Sequence, residues 1–363
     1  MSGVRALRPV DLPAVAALYE GVRRSGGSVA PPGLARYFER TLVTHPWADP
    51  ELPSLVYEAA DGRLTGFIGA HVRRIELDGG PARLVCAGQL ISAPAARRRG
   101  AGAILLRDLL AGPQDVTITD GATSEVATMW DALGGATVAA RSIAWARLFR
   151  PARAAGERLM RRGRARRLAT LSRPLWPALD AAAMRLARPP SAEGLDTPLD
   201  LTNEMLLEHA GEMAGGSRLR VAYDGPFLEW LFGEMSAVAS RGPLVRRAVR
   251  SRGRVLGWYV AYLPPGRIGQ VMQLATAPRA VEHVLDQLFV DAWSAGAAGL
   301  EGRLEQRLFE PLSRRRCLLR YGERVLVHSR DRALRDAVAG GGGALTRMDG
   351  EWWMGHHTEP FGA

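Results

Sequence analysis

An apolar stretch ending in Leu90-Ile91-Ser92-Ala93-Pro94 runs into Arg97-Arg98-Arg99, then Gly100-Ala101-Gly102, then a helical pattern over 103–111. This order constrains the fold more than any other feature of the chain. A strand that turns through glycines into a helix leaves backbone N–H groups free at the positive end of the helix dipole. Glycine lets an anion approach those groups, and arginine adds charge and paired donors. The segment predicts a diphosphate-binding loop and, with it, an enzyme using a nucleotide-like cofactor. Two glycines weaken a helix start by about 1 kcal/mol each, so close ligand approach explains them better than helix initiation.

The flanking pattern places this loop in an α/β domain. Residues 4–9 read as a strand, with Asp11 capping a helix to about Arg24. A Gly- and Pro-rich loop, 25–33, precedes a second helix at 34–42. Strands follow at 55–60, 64–74 and 83–92, the first two joined at the hairpin signal Asp61-Gly62. After the arginine–glycine loop come a helix, a strand at 115–119, a helix at 124–133 and a strand at 139–148. Strand, phosphate loop, helix and strand in series imply a crossover that sets a cofactor at the carboxyl end of the sheet.

A chain of 363 residues is long for one core, so two domains are expected. All 48 basic residues are arginine, which we read as a genome-composition effect; the net charge of +11 is therefore uninformative about chemistry. Nine of those charges come from 150–188, where eleven arginines face only Glu157 and Asp180. Such a run could lie on a membrane or on nucleic acid. The simpler reading is a helical linker with a solvated basic face. Nucleic acid is disfavoured, because Trp176 is the only aromatic residue there for base stacking. Cys86 and Cys317 stand alone, which fits a reducing compartment and excludes a disulfide scaffold or a thiolate zinc site. No apolar run approaches the ~20 residues of a membrane span. A cytoplasmic protein with no metal and no integral membrane segment is expected.

The second half repeats the rhythm of the first. Asp61–Phe67 is echoed by Arg252–Trp258, and Leu90–Pro94 by Leu274–Pro278, each of the latter pair before a helix. Further strands are expected at 245–250, 255–262, 270–275, 300–305, 325–328 and 345–348. The second copy has Arg279-Ala280-Val281-Glu282 in place of the glycine loop, so it should hold no diphosphate.

Arg97-Arg98-Arg99-Gly100-Ala101-Gly102, after a strand and opening a helix, resembles the Arg/Gln-x-x-Gly-x-Gly/Ala signature of the GNAT (GCN5-related N-acetyltransferase) superfamily. The likeness covers about 4–150 well and 196–350 faintly. Its Arg-Arg-Arg-Gly form and tandem layout are similar to the enhanced-intracellular-survival-type acetyltransferases. The resemblance implies an α/β fold (an α+β mixed sheet) in two tandem GNAT-like domains, the second degenerate. A catalytic acyl-CoA-binding domain would span 1–150, a basic helical linker 151–195, and a domain with an acceptor-site or interface role 196–363. It also implies acetyl-CoA, or another acyl-CoA, as co-substrate, held by Leu90, Ile91, Ser92, Arg97, Arg98, Arg99, Gly100, Ala101, Gly102 and Ala103. Transfer would be by direct attack of a primary amine of a small molecule, and a homodimer is possible.

Gln89 lies where relatives often carry a carboxylate or a water-binding residue; the alternative is a strand residue facing solvent. Asp120 follows a strand whose carboxyl end should face the cleft, or it is merely a turn residue before Gly121. His71 is a base candidate or a solvated strand histidine. The family's leaving-group tyrosine aligns with Trp130, which cannot act as an acid. His45 is an acceptor-loop candidate or part of a packed turn, and Cys86 is read as a buried strand residue. The C-terminal run Glu351-Trp352-Trp353-Met354-Gly355-His356-His357 is expected to cap the second core, the alternative being that its tryptophans line an acceptor groove. Two alternatives stay open: an aminoacyl-tRNA-dependent transferase of the Fem type, which the basic linker fits, and a non-catalytic acyl-CoA-binding regulatory module, which Trp130 fits.

Overall fold

The computed structural model describes residues 2–24, 29–160, 166–186 and 189–361. Part of the expected 25–33 loop, and Arg161, Arg162, Arg164 and Arg188 of the basic run, lie outside the described residues. The chain opens with β1 (Gly3–Ala6), α1 (Leu12–Arg23), α2 (Pro32–Phe38), β2 (Leu55–Glu58), β3 (Leu64–Leu77) and β4 (Gly80–Ser92). Next come α3 (Pro94–Arg98), α4 (Ala101–Leu110), β5 (Val116–Ala122), α5 (Ser124–Ala132), β6 (Ala136–Thr137) and β7 (Ile143–Leu148). Three helices follow: α6 (Pro151–Met160), α7 (Arg166–Ser172) and α8 (Trp176–Leu186). Beyond them lie β8 (Leu199–Asp200), α9 (Asn203–Met213), β9 (Leu219–Val221), α10 (Gly225–Ser236), β10 (Leu244–Ser251), β11 (Arg254–Tyr262) and β12 (Ile268–Thr276). The last are α11 (Val281–Ser294), β13 (Gly299–Arg303), α12 (Phe309–Arg314), β14 (Leu318–Tyr321), β15 (Arg324–His328), α13 (Arg332–Ala339) and β16 (Gly343–Ala344).

These elements form two compact units built from interleaved segments. The first comprises Met1–Ser142, Ser217–Ser240 and Glu323–Ala363; the second comprises Ile143–Gly216 and Arg241–Gly322. The boundaries expected at 150 and 195 are therefore corrected. The stretch 151–195 is no linker, since Ala154 of α6 packs with Ile268 and Ala298 of the second unit.

In the first unit the strand order is β1-β2-β3-β4-β5-β15-β6, with β9 joined to β3 and β16. The second sheet runs β14-β7-β13-β12-β11-β10-β8. Both are mixed sheets with one parallel pair on the main path, β4–β5 in the first and β12–β13 in the second. The two orders match, except that the strand between the fifth and last positions comes from the other half of the sequence. β7, read as the last strand of the first half, pairs with β13 and β14. β15 fills the gap between β5 and β6.

Apolar spacing accounts for the packing. Leu105, Leu106, Leu109 and Leu110 of α4 recur at helical spacing and bury against Ile68, Val72 and Val85. Burying a leucine contributes about 1.5–3 kcal/mol. The second core gathers Leu285, Leu288 and Phe289 of α11 against Tyr259, Leu274 and Leu300. Two local expectations fail. Asp11 precedes α1, but its carboxylate takes the guanidinium of Arg5 and the N–H of Arg8 rather than capping the helix. The strand expected at 345–348 is a turn, because Asp349 accepts from both the N–H and the hydroxyl of Thr346. Among the described residues no helix is long and apolar enough to cross a membrane, and no group of three or more His, Cys, Asp or Glu could hold a metal ion.

Candidate functional site

The parallel strands β4 and β5 pair only along Leu84–Cys86 and Val116–Ile118. Beyond those residues they diverge, and the facing backbone groups no longer form a ladder. The cause lies in β4. Between Gly88 and Ile91 it carries one more residue than β3 does between Phe67 and Gly69. This bulge puts Gln89 at φ +49° and bends the strand. A cavity of about 110 Å³ opens in the split, lined by Tyr19, Gln89, Leu90, Thr119, Trp130 and Glu351 among others.

A chain of polar side chains runs beneath this cavity. His71 Nδ1 lies 3.3 Å from the Thr41 carbonyl oxygen, and its Nε2 lies 2.9 Å from Gln89 Oε1. Gln89 Nε2 donates to Glu351 Oε2 at 2.7 Å and lies 3.3 Å from His356 Nε2. Position 88 must be glycine for this approach, since a Cβ there would overlap the Glu351 carboxylate. Burial pushes the Glu351 carboxyl up to about 8, and the nearby Asp120 charge adds to the rise; the Gln89 backbone and Arg23 pull it partway down. Burial, with help from Arg73, lowers His71 to about 4, so its ring is neutral.

In this arrangement the Gln89 amide donates to the Glu351 carboxylate and its carbonyl oxygen accepts from His71 Nε2–H, so the side-chain amide favours the ionised acid against the burial that raises it.

Glu351 is held in place by its main chain. Asp120 Oδ1 accepts from the N–H groups of Glu351 and Trp352, at 3.0 and 3.1 Å. Arg73, 1% exposed, donates from Nε to the Asp349 carbonyl at 3.0 Å and stacks over Phe227. Tyr223 also donates to the Asp349 carboxylate. Asp120 lies buried within β5, between the cavity-lining Thr119 and Gly121, and anchors the Glu351 turn.

At the open end of the split, Gly100 takes a left-handed φ of 78° and no side chain caps α4. The N–H groups of Ala101, Gly102 and Ala103 precede the first intrahelical bond, from Ile104 N to Gly100 O. At Gly102 the nearest atom to an added Cβ is Ser92 Oγ at 3.9 Å. Protein packing therefore does not demand glycine at 102, whereas a ligand seated on these amides would limit the position to a small residue. The expected loop and the expected helix start at 103 are corrected. Arg97 and Arg98 lie in α3, and α4 begins at Ala101 because the left-handed Gly100 breaks the path between the helices. All three arginines are exposed, with Arg97 Nη2 reaching the Ser92 carbonyl.

Other candidates fall outside the chemistry. Trp130 reaches the cavity wall, but its indole N–H is given to the Val327 carbonyl at 2.9 Å. His45 is 3% exposed and accepts from Trp47 N, so it belongs to a packed turn. Cys86 is buried, and burial holds its thiol well above the usual range. The sequence does not single out Glu351 as a site residue; its segment reads as capping the second core or lining an acceptor groove. Trp353 and Met354 are fully buried, but in the first unit and not the second.

The second sheet departs at the corresponding place. Arg307 donates to the Leu274 carbonyl and to Thr276 Oγ1 at the end of β12. Glu282, in the first turn of α11, pairs with Arg314 and Arg315. A side-chain acid already occupies the helix end that an anion would need.

No protein-family model matches this chain, and no curated protein matches it in sequence. Solved structures do match in fold. A GCN5-related N-acetyltransferase from Anabaena variabilis ATCC 29413 superposes with a TM-score of 0.59 at 11% identity, covering 91% of this chain and 73% of that one. A GCN5-related N-acetyltransferase from Kribbella flavida gives 0.55 at 15% identity, covering 93% and 73%. The N-myristoyltransferase of Saccharomyces cerevisiae with bound myristoyl-CoA gives 0.53 at 12% identity, covering 90% and 81%. The chain has the mixed α/β fold of these proteins.

Proposed function

We propose that this chain is an acyl-CoA-dependent N-acyltransferase that moves a short acyl group, acetyl in the simplest case, to a primary amine of a small molecule. The carrying observation is Glu351: a buried carboxyl with a value near 8 facing the split between β4 and β5. The N–H groups at Ala101–Ala103 suit a diphosphate, and the exposed arginines Arg97, Arg98 and Arg99 would supplement them. Acyl-CoA would supply a thioester already activated toward attack.

An alkylammonium, with a value near ~10, sheds two protons on its way to an amide. One leaves to solvent and the other ends on the coenzyme A sulfur. Glu351 suits both transfers in turn, because its value of about 8 lies beside the ~8.5 of a thiol. That removes the need for a tyrosine acid where Trp130 stands. Gln89 positions the carboxyl, and His71 and Asp120 position Gln89 and the Glu351 turn; these are positioning residues.

Calorimetric titration with acetyl-CoA should show saturable binding, and amines should then accelerate thiol release. No binding at millimolar acetyl-CoA overturns the reading. Binding without thiol release for any amine in a broad panel would turn it into an acyl-CoA sensor.

A further inference from the structure

Helices α6, α7 and α8 carry a surface that acyl transfer does not use. Residues 166–186 are helical throughout, with a turn of 3-10 helix at Arg173–Leu175 joining α7 to α8. Two residues fix the inner side of α8. Asp180, 2% exposed, accepts from the N–H groups of Ala152 and Arg153 at the start of α6. Trp176 packs so tightly on Gly156 that a Cβ there would overlap its ring.

The outer side is set by that docking, and it is apolar. Leu171, Leu175 and Leu179, four residues apart, are 78%, 61% and 57% exposed. Ala178 and Ala182 are exposed on the same stripe. Three leucines more than half exposed in one row are not a solvated linker face. The charge around them has one sign. Arg158, Arg167, Arg173 and Arg185 are exposed. The two carboxylates of this stretch turn inward, Asp180 onto α6 and Glu157 onto the Ile268 N–H. Among the described residues of 151–186 no exposed acid offsets the arginines.

An apolar stripe bordered only by cations has the chemistry of a helix lying in a lipid interface. Nucleic acid fits worse, since leucines gain nothing against phosphates and no exposed aromatic ring offers stacking. We propose that the outer face of 166–186 docks on an anionic bilayer surface, with Leu171, Leu175 and Leu179 at the acyl boundary and the arginines among the headgroups. This stands independently of the acyl-transfer reading.

The full chain should co-sediment with vesicles containing a quarter phosphatidylglycerol at least about tenfold better than with pure phosphatidylcholine, and high salt should weaken the binding. A variant carrying Leu171→Gln, Leu175→Gln and Leu179→Gln should lose that binding yet melt as the parent does, because these side chains are exposed. Arg167→Gln with Arg185→Gln should reduce binding and its salt dependence. Equal binding to both vesicles overturns the proposal. So does unchanged binding of the leucine variant. A parent dimer that the leucine variant dissolves, without vesicle binding by the parent, assigns the face to a second copy instead and also overturns it.

Discussion

Glu351 and Gln89 form one proton-holding unit, so their substitutions should separate cleanly. Glu351→Gln keeps the volume and removes the base. Turnover should fall at least about a hundredfold, while calorimetry should still find acetyl-CoA bound as in the parent. Loss of both would place Glu351 in cofactor binding instead. Gln89→Met removes the amide donor that faces the carboxylate at 2.7 Å. The ionised form is then less favoured, so the rising limb of kcat against pH should move above about 8. A limb that stays in place would show that the amide does not govern the proton. Gln89, His71 and Asp120 were legible in the sequence as polar strand residues, though not in their positioning roles, and His71 lies mid-strand in β3. Glu351 was not. It lies 262 residues beyond Gln89, in a run of tryptophans whose evident property is packing. No local pattern tells which sheet a C-terminal segment returns to.

At the scale of elements, the strand–turn–helix unit from β4 to α4 was readable because each part has its own local cause: alternating apolar residues, a proline, a left-handed glycine, then a leucine stripe. What the pattern missed is that Pro94–Arg98 is itself a turn of helix, since a five-residue helix leaves no periodicity to find. Gly102 tests what the unit is for. An added Cβ there meets nothing closer than Ser92 Oγ at 3.9 Å, and valine has a better helix propensity than glycine by a few tenths of a kcal/mol. Gly102→Val should melt no lower than the parent but bind acetyl-CoA at least about tenfold more weakly, because a branched side chain covers the free amides. A variant that binds normally would remove the helix start from the cofactor site. The exchange of β7 and β15 lay beyond the sequence for a different reason. Each reads correctly as a strand, but pairing partners are set by the whole sheet, and alternation is silent about them.

Stability of the whole molecule should carry the signature of the buried acid, and the sign can be worked out. Glu351 rises from about 4.3 in an unfolded chain to about 8 when folded. Between those values the folded chain holds a proton that the unfolded chain has lost, so stability falls as pH rises through the window. Asp349, also raised by burial, acts with the same sign. His71 and His45 act oppositely. Their folded values, about 4 and about 3, lie below the ~6.5 of an unfolded histidine, so stability rises with pH up to about 6.5 and is flat in them above it. From pH 4 to 6.5 the two effects compete. From 6.5 to 8 the histidines have finished and Glu351 remains. One proton changes stability by about 1.4 kcal/mol per pH unit, so the parent should lose on the order of 2 kcal/mol across that interval. Glu351→Gln, which cannot ionise, should lose much less and be the more stable protein at pH 8. Chemical denaturation at pH 6.5 and 8 reads both differences directly. A parent whose stability is level over this interval would mean that Glu351 is already ionised in the folded chain, and a base poised near 8 could no longer be assigned to it.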